Sequence, residues 1–266
     1  MNSSFYWYCE NPNIKTLTDA LMLDTLMFAR DAGSNGTLLT ALIGDAVYFQ
    51  TFDELRRLLL SGKLTPKQLA DLEKKLERVD HDFPSLVPAM ANDTLFLGMA
   101  AANDGWTEGS LKEWLKLSVQ GGWRYGFSPS HMAVDAFEER ESHLRRSQNA
   151  VSLGSADARK EANAIQAAGE ASSNPVIRQM MPSFGRSDEA HDEVLARLRL
   201  LRAATGFLAR GTVPQLADPF GSSLLHKQDG GKTKIWSVGE DGKDDGGPGG
   251  WTNSPGQPDI VLEIGK

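Results

Sequence analysis

Asp218-Pro219-Phe220-Gly221, then Lys234-Ile235-Trp236-Ser237-Val238-Gly239-Glu240-Asp241-Gly242-Lys243-Asp244-Asp245-Gly246-Gly247, then Asp259-Ile260: these stretches near the end of a 266-residue chain decide its reading. Carboxylates this dense among glycines admit two interpretations. A hard cation such as Ca2+ takes about six to eight oxygens from carboxylates, hydroxyls and backbone carbonyls, and glycines let a short loop fold back so that several converge. On that reading Ser237, Asp241, Asp245 and Asp259 are the side-chain ligands. On the other, the segment is a flexible acidic loop with no ion. An EF-hand loop counted from Asp241 would need an oxygen ligand at Lys243 and a glutamate at Thr252, and it has neither. The nonapeptide calcium repeat fails as well, because Gly246-Gly247-Pro248-Gly249 lacks the following aspartate and nothing recurs.

The same residues resemble the C-terminal part of the major pseudopilin of bacterial type II secretion systems. That family carries an Asp-Pro-Trp-Gly segment, a Ser-x-Gly-x-Asp-Gly loop, a Gly-Gly pair and a closing Asp-Ile, and its loop binds calcium. The resemblance implies Ca2+ ligation by Ser237, Asp241 and Asp259, which match the motif, with Asp244 and Asp245 as further candidates. This chain departs from the pattern in having Phe220 in place of tryptophan and many Gly and Pro residues between Pro248 and Pro258. In the family a long helix packs against the C-terminal sheet, and the segment from Asp188 to Arg210 stands in its place. Its Val194, Leu198, Leu201 and Leu208 side is then covered by short strands carrying Leu224, Leu225, Ile235 and Trp236, with Ile260, Leu262 and Ile264 adding another.

Upstream, residues 14–148 read as amphipathic helices joined by short turns. Ile14 to Arg30 is apolar at Leu17, Leu21, Leu26 and Phe28, and Gly33 supplies a stop. A second helix runs from about Thr37 through Leu42, Val47 and Leu55 to Leu59. Thr65 opens a third, with Pro66 at its first helical position, Gln68 closing a capping box, and Leu69, Leu72, Leu76 and Val79 on one face. Further helices are expected over 87–102, after the Ser110/Glu113 capping box, and from Ser128-Pro129 through Met132 and Phe137 to Leu144. This helical region, Leu55 to Val79 above all, is similar to that of large uncharacterised bacterial proteins ending in the same pseudopilin-like tail. Residues 147–174, rich in Ala, Ser, Asn and Gly, form either a weakly stabilised solvated helix or a boundary. The expected architecture is therefore mainly α: a multi-helix domain over 1–172, a linker over 173–186, and a small α+β module over 187–266 with one helix on a short antiparallel sheet.

Charge and motifs narrow the function. The 35 acidic residues outnumber the 28 Lys and Arg, for a net charge of −7, so nucleic acid is not an expected partner. The single cysteine, Cys9, cannot form an internal disulfide. No apolar run approaches the roughly 20 residues needed to span a bilayer. A pseudopilin begins with a membrane helix, so the resemblance implies an anchor upstream of Met1 or a soluble descendant. Glu139 and His143, four apart on a helix, could share a metal, but within Glu138-Glu139-Arg140-Glu141 they read as a charged, solvated face. There is no His-Glu-x-x-His, Gly-x-Ser-x-Gly or phosphate-binding glycine loop. The expectation is a non-enzymatic, calcium-stabilised, extracytoplasmic envelope protein acting through protein partners or self-assembly. The alternative is an enzyme whose carboxylates lie between the helical domain and the tail.

Overall fold

The computed structural model describes residues 12–90, 92, 138–143, 145–146, 149, 155–174, 177–178, 184–252 and 259–265. The chain is mainly helical with a small antiparallel sheet at its C-terminal end, as the sequence leads one to expect. The expected helices over 87–102, after Ser110 and from Ser128 to Phe137 fall mostly outside the described residues. Five helices have defined bounds: α1 Pro12–Asn35, α2 Leu38–Leu60, α3 Pro66–His81, α4 Ser155–Ala171 and α5 Phe184–Arg210. Strands β1 Leu225–Asp229, β2 Lys232–Ser237 and β3 Ile260–Gly265 follow in the order β1-β2-β3. Among the described residues no helix is long and apolar enough to cross a membrane.

The entry to α3 shows how directly the sequence sets local structure. Thr65 Oγ1 accepts the Gln68 backbone N–H at 3.3 Å, and Gln68 Oε1 accepts the Thr65 N–H at 3.0 Å. Each satisfies an amide that the first helical turn leaves without a carbonyl. Leu69, Leu76 and Val79 are buried on one face of the helix. In the sheet, Gly230 and Gly231, both at positive φ, make the two-residue turn that matches the twist of β1 and β2. The register pairs Ile235 with His226 on one side and Leu262 on the other. β1 is a polar edge, with Lys227, Gln228 and Asp229 exposed. At the start of β3, Gly250 bridges to Ile260 and its carbonyl accepts the Val261 N–H at 2.9 Å.

The chain forms two compact units. The first comprises Met1–Ser34, Thr40–Pro84 and His191–Lys266; the second comprises Asn35–Leu39 and Ser85–Ala190. This grouping differs from a division at 173–186. α5 is apolar around most of its circumference: Val194, Leu198 and Leu201 are buried, and so are Ala196, Leu200 and Ala203 on other faces. A three-stranded sheet covers one side only, so α1, α2 and α3 complete the enclosure and share one core with the tail, from Leu26, Phe52 and Leu76 to Ile235 and Leu262. Polar contacts reinforce the α3–α5 seam. Asp80 takes Arg199 Nε at 3.1 Å and also Arg202, while Arg210 pairs with Glu73.

In the second unit, α4 spans the Ala- and Ser-rich stretch and buries Ile165. Arg146 Nε meets Glu161 Oε1 at 2.8 Å. The neighbouring Glu139–His143 turn differs from the expected solvated face, because Arg140 and His143 are buried and Glu139 accepts Ser172 Oγ at 3.1 Å.

α1 and α2 meet at Gly44, where a Cβ would stand 2.7 Å from the Ala29 carbonyl oxygen. Helix propensity alone favours Gly44→Ala by about 1 kcal/mol. The close backbone approach has no flexible side chain to yield, and overpacking of this kind costs about 1–3 kcal/mol. Gly44→Ala is therefore expected to lower the urea midpoint, and Gly44→Val to lower it further; a gain in stability for both would show that the helices part freely.

Candidate metal centre in the C-terminal loop

The loop is assembled around two buried aspartates with opposite fortunes. Asp218, in the turn before β1, is almost fully buried. Its Oδ1 accepts the Phe220 N–H at 3.0 Å and Ser237 Oγ–H at 2.7 Å, and its Oδ2 accepts the Val238 N–H at 3.0 Å. Three donors offset the loss of water around this carboxylate. They also fix the start of the loop, because Ser237 and Val238 stand at and just past the end of β2.

Asp259 lies immediately before β3, at 0% exposure. Its Oδ2 accepts the Gly247 N–H at 2.8 Å, but its Oδ1 is buried and, among the described residues, has no hydrogen-bond partner. Burial pushes its carboxyl above the ordinary value; the Gly247 N–H opposes this, Asp245 and Asp244 push it further up by charge repulsion, and the Asp245 N–H again opposes. The residues around it are held tightly. Gly247 has φ +68°, which suits glycine, and a Cβ there would come within 3.1 Å of the Trp236 ring. At Gly249 a Cβ would stand 2.0 Å from the Asp259 carbonyl oxygen, so the two backbones can run side by side only with glycine there.

Of the five residues expected to ligate Ca2+, the fold thus brings Asp244, Asp245 and Asp259 into one electrostatic neighbourhood. Asp244 Oδ1 accepts the indole Nε1–H of Trp236 at 3.1 Å and the Gly246 N–H at 2.9 Å. Ser237 is instead committed to Asp218 and to the Gly239 N–H. Asp241 closes its own turn, accepting the Lys243 N–H at 2.9 Å, with Lys243 Nζ 3.5 Å from its Oδ2. Among the described residues no group of three or more His, Cys, Asp or Glu side chains converges as a metal cage. What the fold brings together is the buried carboxylate of Asp259 and the charges of Asp245 and Asp244 acting on it. In this conformation Ser237 and Asp241 face other partners.

The anchoring of this loop was not legible in sequence. Trp251 Nε1 donates to Asp53 Oδ1 of α2 at 2.5 Å. The guanidiniums of Arg56 and Arg197 lie 5.7 and 5.3 Å from the Trp251 ring centroid. The only hint was an aromatic residue amid glycines and prolines.

Elsewhere in the first unit, a cavity of about 110 Å³ is walled by Leu26, Leu55 and Leu72, with Gln68, Asp71 and Lys75 its polar groups. One carboxylate and one ammonium on an apolar wall offer no nucleophile with an adjacent base. Compared with known proteins, the chain matches no family model, no curated protein and no solved structure.

Asp218→Ala is expected to cost about 3 kcal/mol, because it strands the buried Ser237 hydroxyl and two backbone N–H groups. Asp218→Asn, which keeps an acceptor, should lose less. Equal losses in chemical denaturation would mean that these donors find water.

Proposed function

We propose that the C-terminal loop is a calcium-stabilised element of a non-enzymatic cell-envelope protein related to the type II secretion pseudopilins, acting through protein contacts. The observation that carries this reading is the buried Oδ1 of Asp259, which has no hydrogen-bond donor among the described residues and lies in the field of Asp245 and Asp244. An uncompensated buried carboxylate beside two others is costly without a cation. The two oxygens of Asp259, those of Asp245, the free oxygen of Asp244 and the carbonyls of the glycine-rich turn are hard donors of the type Ca2+ prefers. Ser237 and Asp241, the other residues of the resemblance, would join the ligand set only by leaving their present partners.

An extracytoplasmic setting suits the same chemistry. A site with few carboxylates has an affinity of about 10⁻⁴ to 10⁻³ M, which millimolar calcium outside the cytoplasm fills. Such filling stabilises the folded tail by mass action.

With a dissociation constant of about 1 mM, 10 mM calcium adds about 1.4 kcal/mol to folding, which raises the melting temperature by a few degrees. Asp259→Asn is expected to abolish that rise. In chelator the same variant should melt above the parent at pH 7. Because the folded carboxyl titrates above its unfolded value, its ionisation penalises the fold at neutral pH and the penalty is relieved as pH falls; the gap between variant and parent should close on acidification. A melting temperature indifferent to calcium would overturn the calcium reading.

A further inference from the structure

The chain leaves the first unit after Pro84 and re-enters it at His191. One imidazole joins these two points. His191 Nε2 is 2.7 Å from the Pro84 carbonyl oxygen, and Nδ1 is 3.0 and 3.1 Å from the two carboxylate oxygens of Asp45 on α2. A carbonyl and an ionised carboxylate only accept, so both ring nitrogens must donate, and only the imidazolium carries both protons. A neutral ring would turn a lone pair toward one of these oxygens. His191 and Asp45 are both buried, at 8% and 4% exposure, so water does not replace a lost bond. Phe83 stacks on the imidazole at 4.6 Å between ring centroids, and Tyr48 packs behind Phe83 at 5.4 Å. A Cβ at Gly33 would stand 2.8 Å from Pro84 Cγ, so α1 closes tightly over the proline.

We propose that His191 is a pH-operated clasp: doubly protonated, it ties the chain's exit at Pro84 to its return at α5 and to Asp45, and losing a proton releases one of those ties.

The surroundings favour the charged form. Burial alone would lower the imidazolium pKa, but the hydrogen bond and charge of Asp45, the Pro84 carbonyl and the charge of Asp192 outweigh it, and the net shift is upward. Among the described residues, the further charged groups near this spot have partners of their own: Arg30 of α1 bonds Asp31, reaches Asp82 at 3.6 Å, and with Asp45 and Asp31 acts on the Tyr48 hydroxyl. Asp82 also pairs with the exposed His81. A group whose folded pKa lies above its unfolded value contributes stability in full below the latter, near 6.5 for histidine, and loses it as pH rises through the folded value. The clasp is thus closed in mildly acidic solution and opens on the alkaline side.

The test uses the full chain between pH 5 and 9. The histidine Cε1–H signals are followed by NMR, with His191 assigned by elimination through His81→Gln, His131→Gln, His143→Gln and His226→Gln made singly. In parallel, the rate of proteolysis within residues 85–190 is measured and normalised at each pH to an unfolded substrate. The expected result is a His191 midpoint above about 6.5, with cleavage rising severalfold across that midpoint. His191→Gln and Asp45→Asn should then cleave at the fast rate at every pH. A midpoint at or below the ordinary value, cleavage that ignores it, or variants that keep the parent's pH dependence would each overturn the clasp. The NMR result stands even if a variant fails to fold.

Discussion

The structure depends on the need to cover α5 on more than one side. A helix with Val194, Leu198, Leu201 and Ala204 on one stripe and Ala196, Leu200 and Ala203 on others cannot lie on a sheet with its back to water. Each exposed Leu or Val would forfeit about 1.5–3 kcal/mol of burial. The small sheet and the helices α1 to α3 are two partial answers to the same demand, and one core joins them. The arginines of α5 follow from this enclosure. Arg199, Arg202 and Arg210 leave it along the α3 seam, where Asp80, Glu77 and Glu73 receive them, while Arg197 turns toward Phe49 and Trp251. Asp80 is itself largely buried and is held by two guanidiniums, which is the condition under which a carboxylate is tolerated in an interior.

The two inner aspartates of the tail show how far environment, rather than residue type, determines chemistry. Asp218 receives two backbone N–H groups and a hydroxyl, and its negative charge is distributed over them. Asp259 receives the Gly247 N–H on Oδ2, with the Asp245 N–H a weaker influence, and among the described residues no donor meets its Oδ1, while the charges of Asp245 and Asp244 act against it. The first is a structural brace complete in itself. The second stores an electrostatic debt that a proton or a cation can relieve, and that asymmetry is why the functional reading rests on Asp259 rather than on the acidic loop as a whole.

Local signals in the sequence carried well. Thr65, Pro66 and Gln68 specified the start of α3, since capping is settled within four residues, and the alternation of Ile260, Leu262 and Ile264 marked a strand. What did not carry was long-range. Periodicity showed one apolar stripe on α5 but not that the opposite stripe was also buried, so the tail looked separable from the helices. The turn around Arg140 and His143 looked solvated because charged residues usually are; both are buried, in a segment whose Arg146 and Glu139 find Glu161 and Ser172 farther along the chain. The pairing of Ser237 with Asp218 rather than with the loop aspartates spans 19 residues and two turns, and no spacing rule announces it. His191 and Asp45, 146 residues apart, are a still plainer case.

The polar first strand has a consequence for how copies of this chain can meet. A sheet that ends in a bare hydrogen-bonding edge invites another chain to add a strand, and proteins prevent this with charge. β1 presents exposed Lys227, Gln228 and Asp229 at that edge, and at the opposite side the start of β3 already carries the Gly250 bridge. The β1 margin is thereby guarded against strand addition, whereas at the other margin the bridge engages only the first residues of β3. A neighbouring copy that tried to weave itself onto the first strand would meet a fringe of charge there.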